Sequence, residues 1–112
     1  MKIIAENIKF KQWNCDVVLD CYAADKSDAL ILIDHEDSER IATATCCLAG
    51  YGFNPGPGLT AIKDYSENEG MLKVLVDSGI VEDTGRRYVG GHNVEFPIVR
   101  VLKRTDVDEV AA

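Results

Sequence analysis

Acidic side chains crowd around one of the two histidines of this chain. His35 lies between Asp34 and Glu36, and Asp37 and Glu39 follow it within four residues. Carboxylates and an imidazole are potential cation ligands, but calcium loops have about twelve residues and a glycine at a fixed position. This segment has neither feature. We therefore expect a solvated hairpin tip whose acidic side chains bind a partner protein, with no metal and no cofactor.

A second acidic group precedes an amphipathic stretch. Asp64, Glu67 and Glu69 surround Ser66, and a serine followed three residues later by glutamate is a capping box that predicts a helix start. Acidic residues in the first turn also complement the positive end of the helix dipole. The pattern predicts a helix over residues 67–78, with its three carboxylates exposed as a second partner-binding surface.

The predicted helix has a clear end and a clear apolar face. Gly79 stands where a left-handed C-cap residue is expected. Met71, Leu72 and Leu75 recur at helical spacing and are predicted to face a sheet.

Glycines and prolines alternate in residues 54–58, which invites comparison with a phosphate-binding loop. No lysine follows at the position that a Walker-type loop requires, and the two prolines remove backbone donors. A rigid surface turn is the better interpretation. Its neighbours Tyr51 and Phe53 are potential anchors for a partner protein, because aromatic side chains are enriched at interface centres. Further along the chain, Arg86 and Arg87 stand next to each other, beside Tyr88, and form its compact basic spot.

The remaining reactive residue types give no catalytic pattern. His92 follows two glycines and has no identifiable nucleophile partner, so we expect no catalytic residue. The four cysteines contain no Cys-x-x-Cys pair and are predicted to be free thiols rather than a disulfide framework. They are Cys15, Cys21, Cys46 and Cys47.

Composition narrows the class of partner. The chain has 112 residues, a net charge of −7 and a pI near 4.7. Direct nucleic-acid binding depends on Lys and Arg neutralising phosphates, so it is disfavoured, whereas a protein with a basic groove is an electrostatically suitable partner. The N-terminal apolar run is too short for a signal peptide and no stretch could span a bilayer, so we expect a cytoplasmic protein.

Hydrophobic patterning predicts the fold class. Residues 16–22, 29–33 and 41–48 are β-like runs joined by short polar segments, which indicates an antiparallel meander. Residues 84–89 and 94–102 suggest a closing hairpin, with Pro97 at an edge or a bulge. The prediction is an α+β domain over residues 1–105, in which an antiparallel sheet of about five strands packs one face against one helix. Residues 106–112 are predicted to be a flexible acidic tail.

The chain resembles an uncharacterised family of small acidic proteins from phages, plasmids and integrative elements of gut-type bacteria. The resemblance is carried by Ile62-Lys63-Asp64-Tyr65-Ser66-Glu67-Asn68-Glu69-Gly70, Leu75, Gly79-Ile80 and Gly85-Arg86, with Trp13, Tyr22 and Ala42-Thr43-Ala44-Thr45 upstream. It implies an accessory protein of a mobile element and supplies no active-site residues. Many such proteins inhibit host defence systems, some of them by imitating the charge of DNA.

Two functions remain open from the sequence. The leading hypothesis is a non-enzymatic anti-defence protein that inhibits a CRISPR or restriction complex through its acidic patches. The alternative is a protein that binds or sequesters a small ligand such as a nucleotide, using the Gly/Pro loop and the two arginines. An enzyme has little support. Neither the target nor the oligomeric state follows from the sequence.

Overall fold

The computed structural model describes residues 2–107, which form two four-stranded antiparallel sheets and one short α-helix. The first sheet has the order β1-β2-β3-β4 and the second has the order β5-β6-β8-β7. The strands are β1 (Lys2–Phe10), β2 (Trp13–Cys21), β3 (Asp28–Asp34), β4 (Arg40–Thr43), β5 (Thr45–Cys46), β6 (Leu59–Ile62), β7 (Val81–Val89) and β8 (Glu95–Val101), and the helix is α1 (Met71–Asp77).

The α+β class and the antiparallel pairing are confirmed, but the prediction of a single sheet of about five strands is wrong. The predicted run 41–48 divides at Ala44 into β4 and β5. The N–H of Ala44 still donates to Leu30 O of β3 at 2.8 Å, whereas its carbonyl accepts from Lys63 N at 2.8 Å beyond β6. One stretch of chain therefore passes from the first sheet to the second and joins them along one side.

One strand, β1, escaped the sequence pattern. Register shifts on both sides of Ala5 interrupt its alternation of apolar and polar residues, and this alternation is the signal by which a half-buried strand is recognised. For residues 61–63 the sequence leaves open a short strand or a lead into the helix, and the structure places Ala61 and Ile62 at the end of the four-residue β6. Pro97 does not lie on an edge strand, because β8 is flanked by β6 and β7. The pairing of β7 with β8 is instead irregular between Asp83 and Arg87, beside Pro97, which fits the predicted alternative of a bulge.

The helix closes the open side between the sheets. It contacts β1 and β7, which are the free edge strands of the two sheets on that side. Met71 and Leu75 are fully buried, as the spacing predicts, whereas Leu72 is half-buried. The helix ends as predicted, with Gly79 at φ 71° donating to Val76 O, and the N–H of Ile80 donating to Leu75 O. These two bonds form a Schellman motif.

The helix starts four residues later than predicted, with Gly70 at its N-cap position, and Ser66 does not accept its first N–H groups. Ser66 has φ 58° and begins a 3₁₀ turn, Ser66–Asn68, that precedes α1. Asp64 Oδ1 instead accepts the N–H groups of Gly70 and Leu72, both at 3.1 Å. A carboxylate from outside the helix therefore satisfies two donors near its N-terminus.

One hydrophobic core holds the two sheets and the helix together. It contains residues of both sheets and of α1, such as Leu30, Val99 and Leu75. A smaller cluster on the second sheet is covered by the chain after β5 and includes Leu48 and Phe96. Both sheets and the helix therefore share the larger of the two clusters.

The chain after β8 is attached to the first sheet by an ion pair. Arg104 donates to both carboxylate oxygens of Asp28, with Nη1–Oδ2 at 2.7 Å and Nη2–Oδ1 at 2.9 Å. Of the predicted tail 106–112, Asp106 and Val107 are half-buried, and residues 108–112 lie outside the described residues.

Two further predictions concern the chain as a whole. The four cysteines are all free thiols in the structure, with Cys15 buried and Cys21 exposed. None of the helices within residues 2–107 has the length and apolar character needed to cross a membrane.

Candidate functional site

The predicted acidic hairpin tip connects β3 to β4, and its four carboxylates divide into two roles. Asp34 Oδ1 accepts the N–H of Glu36 at 2.8 Å, and Asp37 Oδ1 accepts the N–H of Glu39 at 2.9 Å. The two aspartates therefore shape the turn, as Asx residues commonly do. Glu36 and Glu39 are exposed, and no cation of the described residues lies within salt-bridge distance of either. Glu36 and Glu39 are therefore the two carboxylates of the tip that the turn itself does not use.

His35 does not join the acids next to it in the sequence. Its Nδ1 lies 2.7 Å from Oδ1 of Asp16 on β2. Glu6 approaches from β1, and one ligand atom from each of the three residues lies within 4.8 Å of the others. The irregular pairing of β1 between Ala5 and Ile8 includes Glu6, so the cluster lies beside a bulge, a feature common near functional sites.

The side chains of this cluster differ in exposure and therefore in electrostatics. The Asp16 side chain is 8% exposed and that of His35 is 35% exposed. The hydrogen bond to Asp16, and then the negative charge of that carboxylate, raise the pKa of His35 above its usual value. Asp16 Oδ1 also accepts the N–H of Asn7 at 3.3 Å. The cluster can hold a proton or a cation between its carboxylates and the imidazole.

Sequence analysis missed Glu6 and Asp16 because they lie 29 and 19 positions before His35. Only the pairing of β1 with β2, and of β2 with β3, brings the three residues to one place. No spacing rule along the chain connects them. The other histidine, His92, has a side chain that lies outside the described residues.

The predicted acidic surface at the helix start is partly neutralised. Asp64 accepts the two N–H groups described above, and Glu67 forms an ion pair with Lys63. Glu69 is exposed and makes no ion pair within the described part of the chain. Lys11 adds further positive charge by donating to the carbonyl of Glu67 at 2.6 Å. Of the two predicted acidic patches, the hairpin tip is therefore the stronger candidate for a basic partner.

The pKa of Glu67 provides a direct test of its ion pair with Lys63. We expect its carboxyl to titrate with a pKa of about 2, against an ordinary value of 4.5, chiefly because Lys63 donates a hydrogen bond to it. Since the pKa is lower in the folded state, the pair stabilises the fold above about pH 4.5, and this contribution is lost as the pH falls through 2. Carboxyl-detected NMR titration measures the value directly.

Two variants separate the causes of this shift. Lys63→Met should return the pKa of Glu67 most of the way to its ordinary value. Lys73→Met removes the other lysine pair of this region, with Asp77, and should leave Glu67 unchanged. A pKa near 2 that persists in Lys63→Met would show that Lys63 is not the cause.

The β1–β2 turn lies between the two predicted acidic patches. The N–H of His35 donates to Asn14 O at 3.0 Å, which places the hairpin tip beside the start of β2. Lys11, in the turn that precedes β2, reaches the helix start. The patches therefore face the same end of the molecule, but a turn that carries a lysine separates them.

The predicted aromatic anchors join a larger group of rings on the second sheet. Tyr88 contacts Phe53 at 4.6 Å between ring centroids and Tyr51 at 6.2 Å. Tyr65 meets Phe96 edge to face at 5.9 Å. Tyr88 and Phe96 are directly paired on β7 and β8, so they share one face of the sheet. We call these five side chains the aromatic face.

The aromatic face combines buried support with exposed rings. Phe96 is 5% exposed, whereas Tyr65 and Tyr51 are 36% and 59% exposed. Lys63 Nζ lies 5.5 Å from the centroid of the Tyr65 ring, within cation–π range. Sequence analysis found Tyr51 and Phe53 but not the contribution of the other three, which come from segments remote in the chain.

The Gly/Pro loop follows Phe53 in the chain and is shaped by its own hydrogen bond. Pro55 is buried, and Asn54 Oδ1 accepts the N–H of Gly56 at 2.9 Å. Arg87, one of the two arginines suggested for phosphate, is bound to Asp83 through two hydrogen bonds of 2.9 Å. A phosphate would have to compete with that carboxylate.

Comparison with models of protein families, with curated protein sequences and with solved structures gives no significant match. The function is therefore inferred from the geometry of these surfaces.

Proposed function

We propose that this protein is a binding module for another protein, anchored by the aromatic face. The observation that carries the proposal is the clustering of five of the eight aromatic side chains of the chain on one sheet face, with Tyr51 the most exposed. Tyrosine supplies a large apolar contact area and a hydroxyl at low entropic cost, and it is enriched among residues that dominate binding energy. The Tyr88 ring, 6.2 Å away between centroids, restricts the Tyr51 side chain before binding.

The acidic hairpin tip supports a partner with a basic surface. Glu36 and Glu39 project without a neutralising cation among the described residues, on a chain whose net charge is −7. Charges at an interface rim mainly accelerate association and select partners, whereas buried aromatic anchors set the lifetime of the complex. The two surfaces therefore contribute to different steps of binding.

The specific biological role that we propose is inhibition of a host defence complex by a phage or mobile-element protein. It is supported by the resemblance described above and by the acidic charge, which suits a groove that normally holds nucleic acid. A CRISPR effector or a restriction component presents such a groove. The protein is proposed to act by occupying it, without chemistry of its own.

The proposal is tested by capture of a partner from host lysate, followed by binding kinetics with the purified partner. Tyr51→Ala should weaken affinity by roughly 30-fold, the effect of losing about 2 kcal/mol at an anchor, chiefly through faster dissociation. Val76→Ala is the matched control, because Val76 is also an exposed apolar residue but lies on α1, away from the aromatic face. It should leave affinity unchanged.

The charge contribution is measured separately. Glu36→Lys combined with Glu39→Lys should slow association and reduce its dependence on salt, because the Debye length is about 8 Å at physiological ionic strength. Glu69→Lys is the matched control at the other predicted patch. Wild-type kinetics for both Tyr51→Ala and the double variant would refute the proposed surfaces.

A further inference from the structure

We propose that Glu6, Asp16 and His35 form a binding site for a divalent transition-metal ion, with zinc as the ion that the ligand set favours. The three side chains come from β1, β2 and the residue directly after β3. Two carboxylates and one imidazole supply oxygen and nitrogen donors, which are ordinary zinc ligands. The site is independent of the proposed aromatic anchor, which lies on the other sheet.

The geometry is close to that of a three-ligand site. The ligand atoms already lie within 4.8 Å of one another. Tetrahedral zinc with bonds of about 2.0 Å places its ligand atoms roughly 3.3 Å apart. His35 Nδ1 and Asp16 Oδ1 are 2.7 Å apart, so this pair has to open by about half an ångström while Glu6 moves inward.

The exposure of the three side chains permits that adjustment. Asp16 is fixed in the sheet and nine-tenths buried, whereas His35 is partly exposed and Glu6 is exposed. The exposed Glu6 and His35 side chains can therefore close around an ion held by the buried Asp16 without disturbing the core. The mobile ligands also leave a fourth position open to water or to a group from a partner.

Charge favours a cation at this position. Asp16 and Glu6 are both acidic, and Glu36 faces His35 from the hairpin tip. An ion would neutralise carboxylates that the single imidazole only partly balances. Coordination through Nδ1 replaces the hydrogen bond to Asp16, and the ring proton moves to Nε2 or to solvent.

The experiment is calorimetric titration of the full-length reduced protein with zinc chloride. We expect one saturable site per chain and an increase in melting temperature at saturation. Glu6→Gln and His35→Ala should each weaken zinc binding by at least about tenfold, since even outer-shell changes at metal sites cost that much. Glu6 is exposed, so its variant should fold even where Asp16→Asn fails to fold.

Two control variants test other potential zinc ligands of the chain. His92→Ala and Cys21→Ser remove the other histidine and the exposed thiol, and neither should change the affinity. Cobalt as a spectroscopic substitute should give d–d bands without thiolate charge transfer. Three results would overturn the proposal and leave only the ion pair of His35 with Asp16. They are wild-type affinity in both Glu6→Gln and His35→Ala, loss of binding in Cys21→Ser, and the absence of saturable binding.

Discussion

Replacing Leu75 by aspartate should unfold the protein at room temperature. Leu75 is fully buried on the face of α1 that packs into the shared core. Loss of the leucine contacts in such a position costs about 2–5 kcal/mol, and burial of an unpaired carboxylate adds several more. The total approaches the whole stability of a typical domain, about 5–15 kcal/mol. Far-UV circular dichroism and urea denaturation measure the loss.

Val76→Asp is the matched control for this prediction. Val76 is the next residue of the same helical turn and is 38% exposed. The new charge stands equally near the helix C-terminus, so the dipole effect is the same for both variants. We expect Val76→Asp to cost no more than about 1 kcal/mol. Comparable losses from the two substitutions would show that the buried face of α1 has been assigned wrongly.

Replacing Arg104 by methionine should destabilise the protein by about 2–3 kcal/mol. The substitution leaves the Asp28 carboxylate without its bidentate partner, and that side chain is only 9% exposed. Breaking a fully buried ion pair costs about 3–5 kcal/mol. The expected loss is smaller here because the Arg104 side chain is 48% exposed, so water can reach the remaining carboxylate. Urea denaturation of the purified variant gives the value.

A double-mutant cycle isolates the pair. Asp28→Asn combined with Arg104→Met should be less destabilised than the sum of the single variants, because the unpaired buried charge is gone. Lys103→Met changes a neighbouring exposed cation that forms no ion pair within residues 2–107, and it should stay within about 0.5 kcal/mol of the wild type. Additive effects in the cycle would mean that the pair does not stabilise the fold.

The Arg104–Asp28 pair also illustrates why the end of the domain was hard to place. The two residues are 76 positions apart, and neither has a local pattern that points to the other. The predicted boundary at residue 105 depended on the low content of apolar residues beyond it. Asp106 and Val107 are nevertheless half-buried, which the composition of this segment does not predict.

The candidate sites differ in how far the sequence could reveal them. The acidic hairpin tip is local, since the turn and its charges lie within residues 34–39, and the structure retains it there. The acidic group at the helix start is equally local in sequence, but the Lys63–Glu67 ion pair and the approach of Lys11 to the Glu67 carbonyl depend on how the 3₁₀ turn and the β1–β2 turn are placed. Glu6, Asp16 and His35 meet only because β1, β2 and β3 pair side by side.

What the sequence by itself determined is the set of features governed by neighbouring residues. The C-terminus of α1 follows from the glycine at position 79, because a left-handed cap is cheapest without a Cβ. The apolar face of Met71 and Leu75 follows from helical spacing. The runs within β2 and β3 follow from their apolar, β-branched composition, which is favoured in buried strands.

Only the tertiary structure decided which sheet each strand joins and which side chains meet. An alanine at position 44 does not by its residue type indicate that the chain passes from one sheet to the other. The passage depends on the partners of its backbone, since its N–H donates to one sheet and its carbonyl accepts from the other side. Asp64, rather than Ser66, accepts the N–H groups at the start of α1, because the backbone at Ser66 turns left-handed before α1 begins. The five rings meet because strand register, rather than local propensity, places Tyr88 opposite Phe96.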